Sequence, residues 1–271
     1  MGNSYEYGCL YKKRSMKIYR PTVLDKQRIK PIPNMLKVSG DQVFATFQGE
    51  GITAGQPAVF LRLHYCNLAC SWCDTKYTWD KTRKEFWQEP IDWSYPEAVT
   101  KIKAAWLQKF GLKTPDSKKR LVITGGEPLL QQAKIVKLLQ FLPNWRVEIE
   151  TNGTIIPLAE LSNCQINCSP KLENSGNLLS LRFKSEVLKQ INSLPNSWFK
   201  FVVVKAKDLE EIDEIVTCCA LNPEKILIMP EGYTVETISE HLIQVKTEVQ
   251  KRKWRVIQRN QIIWYGNKRR T

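Results

Sequence analysis

The sequence predicts an α/β fold built on a mostly parallel sheet with crossover helices. Two observations carry this reading. Short apolar runs alternate along the chain with longer segments of helical period, the pattern of strand-helix-strand units. Each glycine-rich or polar motif follows directly after one of those apolar runs. In such sheets chemistry collects at the carboxyl ends of the strands, so the motifs are expected to share one rim. No internal repeat or low-complexity tract competes with this reading.

In chain order, Ala58 to Leu63 is the first buried strand and leads into a cysteine-rich loop. Ser94, Pro96 and Glu97 mark a helix start, with apolar Val99, Ile102, Trp106 and Phe110 following at helical spacing. A polar loop over Lys113–Lys119 separates it from a strand over Arg120–Thr124, which ends in Gly125-Gly126-Glu127-Pro128. Gln131 to Leu142 reads as a helix and Trp145 to Glu150 as a strand, ending in Thr151-Asn152-Gly153. Gln165 to Cys168 is a short strand before Ser169-Pro170-Lys171. Phe199–Val204 and Ile226–Met229 are the last two strands, with a helix over Asp208–Cys219 between them. Thr234 to Lys253 is a long amphipathic helix.

The formal net charge is +14, much of it in two places. Residues 12–37 carry nine Lys or Arg against the single acid Asp25, and the tail from Lys251 has no acid. With no aromatic-interleaved RNA motif or zinc finger beside it, the charge reads as solubility and general attraction for anions, not as a nucleic-acid surface. Residues 1–37 also carry Pro21, Pro31 and Pro33 without a sustained period, and are expected to be a basic extension loosely attached to a domain over 38–271. No run approaches a membrane span, and no apolar signal core is present. Eight cysteines without export signals imply a reducing compartment, hence the cytoplasm.

The chemistry centres on Cys66-Asn67-Leu68-Ala69-Cys70-Ser71-Trp72-Cys73. Thiols this close suit a soft metal centre, zinc or an iron–sulfur cluster. A structural zinc site closes with four ligands, often two CxxC pairs. Here there is no second CxxC, and the only histidines are His64 and His241. Three ligands with a fourth position vacant describe a reactive centre. The bland alternative is three reduced cysteines in a buried loop. His64 reads as structural, Cys164, Cys168, Cys218 and Cys219 as small buried apolar residues, and Cys9 as part of the extension. The Gly125-Gly126 pair lets backbone approach a ligand closely, and Glu127 offers a carboxylate there for an α-ammonium.

C-x3-C-x2-C with an aromatic before its last cysteine resembles the signature of radical S-adenosylmethionine (SAM) enzymes. Phe47-Gln48-Gly49-Glu50-Gly51, Pro57-Ala58-Val59-Phe60-Leu61-Arg62-Leu63, the cysteine loop with Asp74-Thr75, and Met229-Pro230-Glu231-Gly232 narrow it. In that order, over about residues 41–271, the chain resembles the 7-carboxy-7-deazaguanine synthase family.

The resemblance implies an incomplete (β/α) barrel of parallel strands, radical SAM type, working as a homodimer with a reductant such as flavodoxin or ferredoxin. It implies ring contraction of 6-carboxy-5,6,7,8-tetrahydropterin to 7-carboxy-7-deazaguanine with loss of ammonia, in queuosine-type biosynthesis. The implied cofactors are a [4Fe-4S] cluster on Cys66, Cys70 and Cys73, SAM, and Mg2+ at Thr75. Trp72, Cys73, Asp74, Gly126, Glu127, Asn152, Ser169, Pro170, Lys171, Met229, Pro230, Glu231 and Gly232 would surround SAM. Phe47, Gln48, Gly49, Arg62, Thr124 and the terminal Thr271 would hold the pterin. Arg62 presents a planar fork suited to the substrate carboxylate. A lone threonine hydroxyl is a poor Mg2+ site, so metal is expected only with substrate. Arg270 stands where the family commonly has glycine, and residues 1–37 fall outside its pattern. Two other readings share some of these features: a glycyl-radical enzyme activating protein, and a non-enzymatic metal or nucleic-acid binding module.

Overall fold

A computed structural model of the chain describes residues 18–266 and 268, with Asp41 and Gln42 described by backbone alone. Cys9 and Thr271 lie outside the described residues. Helix α1 (Val23–Arg28) precedes the long strand β1 (Leu36–Phe47), which pairs antiparallel with β2 (Pro57–Leu63). Beyond the cysteine loop come α2 (Lys84–Gln88), the short β3 (Pro90–Trp93) and α3 (Tyr95–Phe110). Then follow β4 (Arg120–Gly125), α4 (Gln132–Leu139), β5 (Arg146–Thr151), β6 (Gln165–Cys168), α5 (Leu179–Arg182) and α6 (Ser185–Ser193). The chain finishes with β7 (Ser197–Val203), α7 (Lys207–Cys219), β8 (Ile226–Pro230), α8 (Val235–Lys251), β9 (Arg255–Val256) and α9 (Asn260–Tyr265).

One sheet takes the order β3-β1-β2-β4-β5-β6-β7-β8-β9. It is parallel from β2 to β9, with β1 and β3 added antiparallel at one edge. The outer strands β3 and β9 do not pair with each other, so the sheet stays open. All six expected strands are present, each within two residues of its expected ends. Their inward residues, among them Leu61, Ile123, Ile149, Ile166, Phe199 and Ile228, are fully buried in one continuous core.

Local chemistry explains the helix ends. Ser94 caps α3 by accepting from the Glu97 N–H, and Gly111 ends it at φ 77°. Helix α4 starts later than its period indicated, because Pro128–Gln131 forms a 3-10 turn first.

The expected boundary after residue 37 falls inside β1. Leu36 and Lys37 are both fully buried, and Lys37 Nζ pairs with Asp92 at 2.5 Å. Residues from 18 onward are also attached to the body. Thr22 and Asp25 form a capping box on α1, Gln88 bonds Tyr19 and Asp25, and the Tyr65 hydroxyl donates to the Ile29 carbonyl. A buried lysine looks in sequence like a surface charge, and its partner lies far along the chain. Cys164, Cys168 and Cys219 are buried as expected, but Cys218 is exposed, since adjacent helical positions point about 100° apart. Among the described residues, no helix is long and apolar enough to cross a membrane.

Candidate active site

The cysteine loop is rooted at the end of β2, beside the end of β4. There the Gly126 N–H donates to the Leu63 carbonyl and the Glu127 N–H to the Tyr65 carbonyl, at 3.1 and 2.8 Å. A Cβ on Gly125 would stand 2.0 Å from Leu63 O, and one on Gly126 1.9 Å from Tyr65 O. The glycine pair is thus required by close approach of the chain's own backbone. That differs from the expectation of approach to a ligand alone. Glu127 differs as well. Its carboxylate is fully buried and accepts from Leu129 N, Thr151 Oγ1 and Asn152 N, and the residue is not on the cavity wall. Burial pushes its pKa up. It braces the turns after β4 and β5 and is not placed to receive an α-ammonium.

The far side of the loop is pinned by residues 174–177. The Ser71 N–H donates to Ser175 O, Trp72 Nε1 to Asn174 Oδ1, and the Ala69 N–H to Asn177 Oδ1. Asn177 Nδ2 in turn lies 3.3 Å from Cys70 Sγ. Cys66, Cys70 and Cys73 are free thiols. Burial pushes the Cys66 thiol up to about 12 and also raises Cys70. As free thiols these two stay protonated near neutrality, so metal must displace the protons.

All three thiols line one cavity of about 330 Å³ at the carboxyl ends of the strands. The cavity collects Phe47, Gln48, Gly49, Arg62 and Thr124 along with Trp72, Asp74 and Thr75. Gly126, Asn152, Ser169, Lys171, Met229 and Glu231, also expected at the site, line it as well. Pro170, Pro230 and Gly232 are not on its wall. Gly232 packs under Ile238, and its carbonyl accepts from Arg259 Nη1. Arg62 presents a buried Nε without a hydrogen-bond partner, as a group reserved for a ligand would. Lys171 Nζ bonds neutral Ser169 and lies over the Trp72 ring. Thr75 is buried, and its hydroxyl donates to Gly125 O at 3.3 Å.

Sequence reasoning assigned no role to Glu50, Lys200, Arg259 or Gln261, which also line the cavity. Lys200 Nζ lies 2.5 Å from Glu50 and 3.5 Å from Glu150, while Arg259 joins Glu50 to Asp74 and Gln261 Nε2 bonds Glu50. Burial alone would raise the Glu50 carboxyl, but the Lys200 and Arg259 charges outweigh it and hold it down to about 2. Glu150, with less cationic help, is raised by burial. The signal for Glu50 was present in Phe47–Gly51. Lys200 and Arg259 carry none, because nothing local distinguishes them from surface cations.

A model of the radical SAM superfamily matches residues 61–170. The chain is 34% identical over 234 residues to the 7-carboxy-7-deazaguanine synthase of Pyrobaculum aerophilum, covering 84% of this chain and 95% of that protein. The chain belongs to the 7-carboxy-7-deazaguanine synthase family. The synthase from Rhodopirellula baltica is 32% identical, covering 85% of this chain and 87% of its own. The Escherichia coli K12 synthase is 30% identical, covering 70% and 83%. The crystal structure of QueE from Escherichia coli superposes with a TM-score of 0.60 at 26% identity, covering 83% of this chain and 93% of that one. The open parallel sheet agrees with the incomplete barrel expected of a radical SAM synthase.

The donor set fits the cluster that this superfamily implies. Among the described residues no three His, Cys, Asp or Glu side chains close on one point, as ligands of a single ion would. A cluster needs no such convergence, because each thiolate takes a different iron. Members of this family use that cluster and SAM on a small molecule.

Proposed function

We infer that the chain converts 6-carboxy-5,6,7,8-tetrahydropterin to 7-carboxy-7-deazaguanine with loss of ammonia, within queuosine-type 7-deazaguanine biosynthesis. One observation carries the reading onto this chain's own residues. Three free thiols, an unpartnered Arg62 and the Phe47–Gly49 turn open onto a single cavity. Activation of a protein partner is not favoured, since the relatives described above are synthases.

Cys66, Cys70 and Cys73 hold three irons of a [4Fe-4S] cluster, and Ser169, Lys171, Asn152 and Met229 enclose SAM beside it. When bound, the cluster and SAM would supply one-electron radical chemistry able to abstract a substrate hydrogen. Arg62 takes the substrate carboxylate in a two-pronged, charge-assisted contact and so fixes which edge of the ring faces the cluster. The paired Glu50, Lys200 and Arg259 keep the opposite wall polar and fixed in place before substrate enters. Thr75 would offer one hydroxyl oxygen to a Mg2+, with substrate and water as the remaining donors. We assign the chain to the cytoplasm as a homodimer, reduced by a flavodoxin or ferredoxin.

The test is anaerobic reconstitution of the full chain with iron and sulfide, then assay with SAM, dithionite, Mg2+ and the carboxytetrahydropterin. The expected result is about four irons per chain and equal yields of 7-carboxy-7-deazaguanine and ammonia. One zinc per chain with no product would refute it.

A further inference from the structure

We propose that Asn177 is a positioning residue that sets the reduction potential of the cluster through a hydrogen bond to Cys70 Sγ. The inference rests on reading Cys70 as a cluster ligand. The amide has only one orientation open to it. Its oxygen accepts from the Ala69 N–H at 2.9 Å, and a backbone N–H can only donate. The –NH2 therefore faces Cys70 Sγ at 3.3 Å, with Ser175 Oγ as its second acceptor at 3.2 Å.

The residue is itself held in place. The Arg182 Nε donates to the Asn177 carbonyl at 3.2 Å, and Arg182 is buried and paired with Glu211. Neighbouring bonds from Ser71 to Ser175 and from Trp72 to Asn174 fix the same two strips of chain against each other. The donor thus points at the sulfur before any metal arrives. Reduction adds negative charge to a cluster and its thiolates, so an N–H aimed at a ligand sulfur favours the reduced form. Of the three cysteines, Cys70 is the one whose sulfur receives a side-chain N–H among the described residues. Outer-sphere partners of metal ligands act in this way generally, tuning the centre without touching it.

Two variants separate the donor from mere loop support. Asn177→Asp keeps an acceptor for the Ala69 N–H but loses the donor and adds charge. Asn177→Leu loses both bonds without adding charge. Each full-length chain is reconstituted anaerobically, its iron counted, and its cluster titrated by electron paramagnetic resonance at controlled solution potentials. In Asn177→Leu the reduced-to-oxidised ratio at a fixed potential should fall about tenfold, a negative shift of about 59 mV for one electron. Asn177→Asp should shift further in the same direction. SAM should still perturb the signal in both. Unchanged midpoints in variants that carry full iron would overturn the proposal. If neither variant holds a cluster, the unaltered chain labelled with 15N-asparagine decides. A side-chain nitrogen coupling to the reduced cluster supports the contact, and its absence overturns it. Should the unaltered chain itself fail to bind about four irons, the fault lies with the cluster assignment and not with Asn177.

Discussion

The two walls of the cavity are built on opposite principles. On the cysteine wall, from His64 to Cys73, the groups that face inward form no ion pair among the described residues. They are free thiols, held from behind by backbone bonds and by the amides of Asn174 and Asn177. On the facing wall the charges of Glu50, Lys200 and Arg259 are already matched. Glu50 meets Lys200, Arg259 and Gln261, and Lys200 also meets Glu150. Arg259 reaches across to Asp74, and the Tyr233 hydroxyl donates to the Trp72 carbonyl, so the walls are tied at one end. The difference agrees with a cofactor seated on the cysteine side. A wall awaiting metal must leave its thiols without ionic partners, whereas a wall that only shapes a substrate must neutralise its own buried charges.

The sharpest way to break this contrast is to remove a thiol. Cys70→Ala should lower product formation at least about 10⁴-fold, because a missing cluster ligand removes the chemistry outright. Urea unfolding of the metal-free chain should hardly move. On the facing wall the balance reverses. Glu50→Gln leaves Lys200 and Arg259 buried with less negative charge, and should cost about 3 kcal/mol of stability in a urea titration of the metal-free chain. Cluster loading per folded chain should survive. Arg62→Lys tests the cavity cation whose buried Nε has no hydrogen-bond partner. A single ammonium cannot reproduce the fork, so KM for the pterin should rise about ten- to a hundredfold, with SAM binding unchanged.

The last test sharpens the cysteine wall through pH. Burial, with Lys37 adding to it, pushes the His64 imidazole down to about 3. The folded chain therefore keeps His64 neutral while the unfolded chain takes a proton below its ordinary pKa near 6.5. That contribution to stability is whole above pH 6.5 and falls by about 1.4 kcal/mol per pH unit as pH drops toward 3. His64→Leu should flatten the urea midpoint over that window relative to the parent chain. Equal slopes in both would mean the histidine is already charged when folded.

Much of this arrangement was legible in the residues themselves. The six parallel strands announced themselves as apolar runs, and the motifs behind them met at one rim as strand-end placement requires. What escaped notice was whatever depends on a partner far along the chain. Lys37 reads as surface charge until Asp92 is folded against it, and Thr22-Val23-Leu24-Asp25 hides a helix start inside a basic, proline-bearing stretch. Strand β1 escaped because its pairing with β2 is irregular between Val38 and Val43, which interrupts the alternation. Asn177 sits in a polar turn with no motif around it. Glu127 was seen but given the wrong orientation, since sequence cannot say that three donors wait behind it.

Gly125 and Gly126 meet the carbonyls of Leu63 and Tyr65 with no room for a methyl group between them. The cysteine loop and the tail of the neighbouring strand are therefore one mechanical part. Anyone grafting Cys66–Cys73 onto a different scaffold would have to carry that paired glycine segment with it, or the transplanted sulfurs would sit too far from the floor to grip anything.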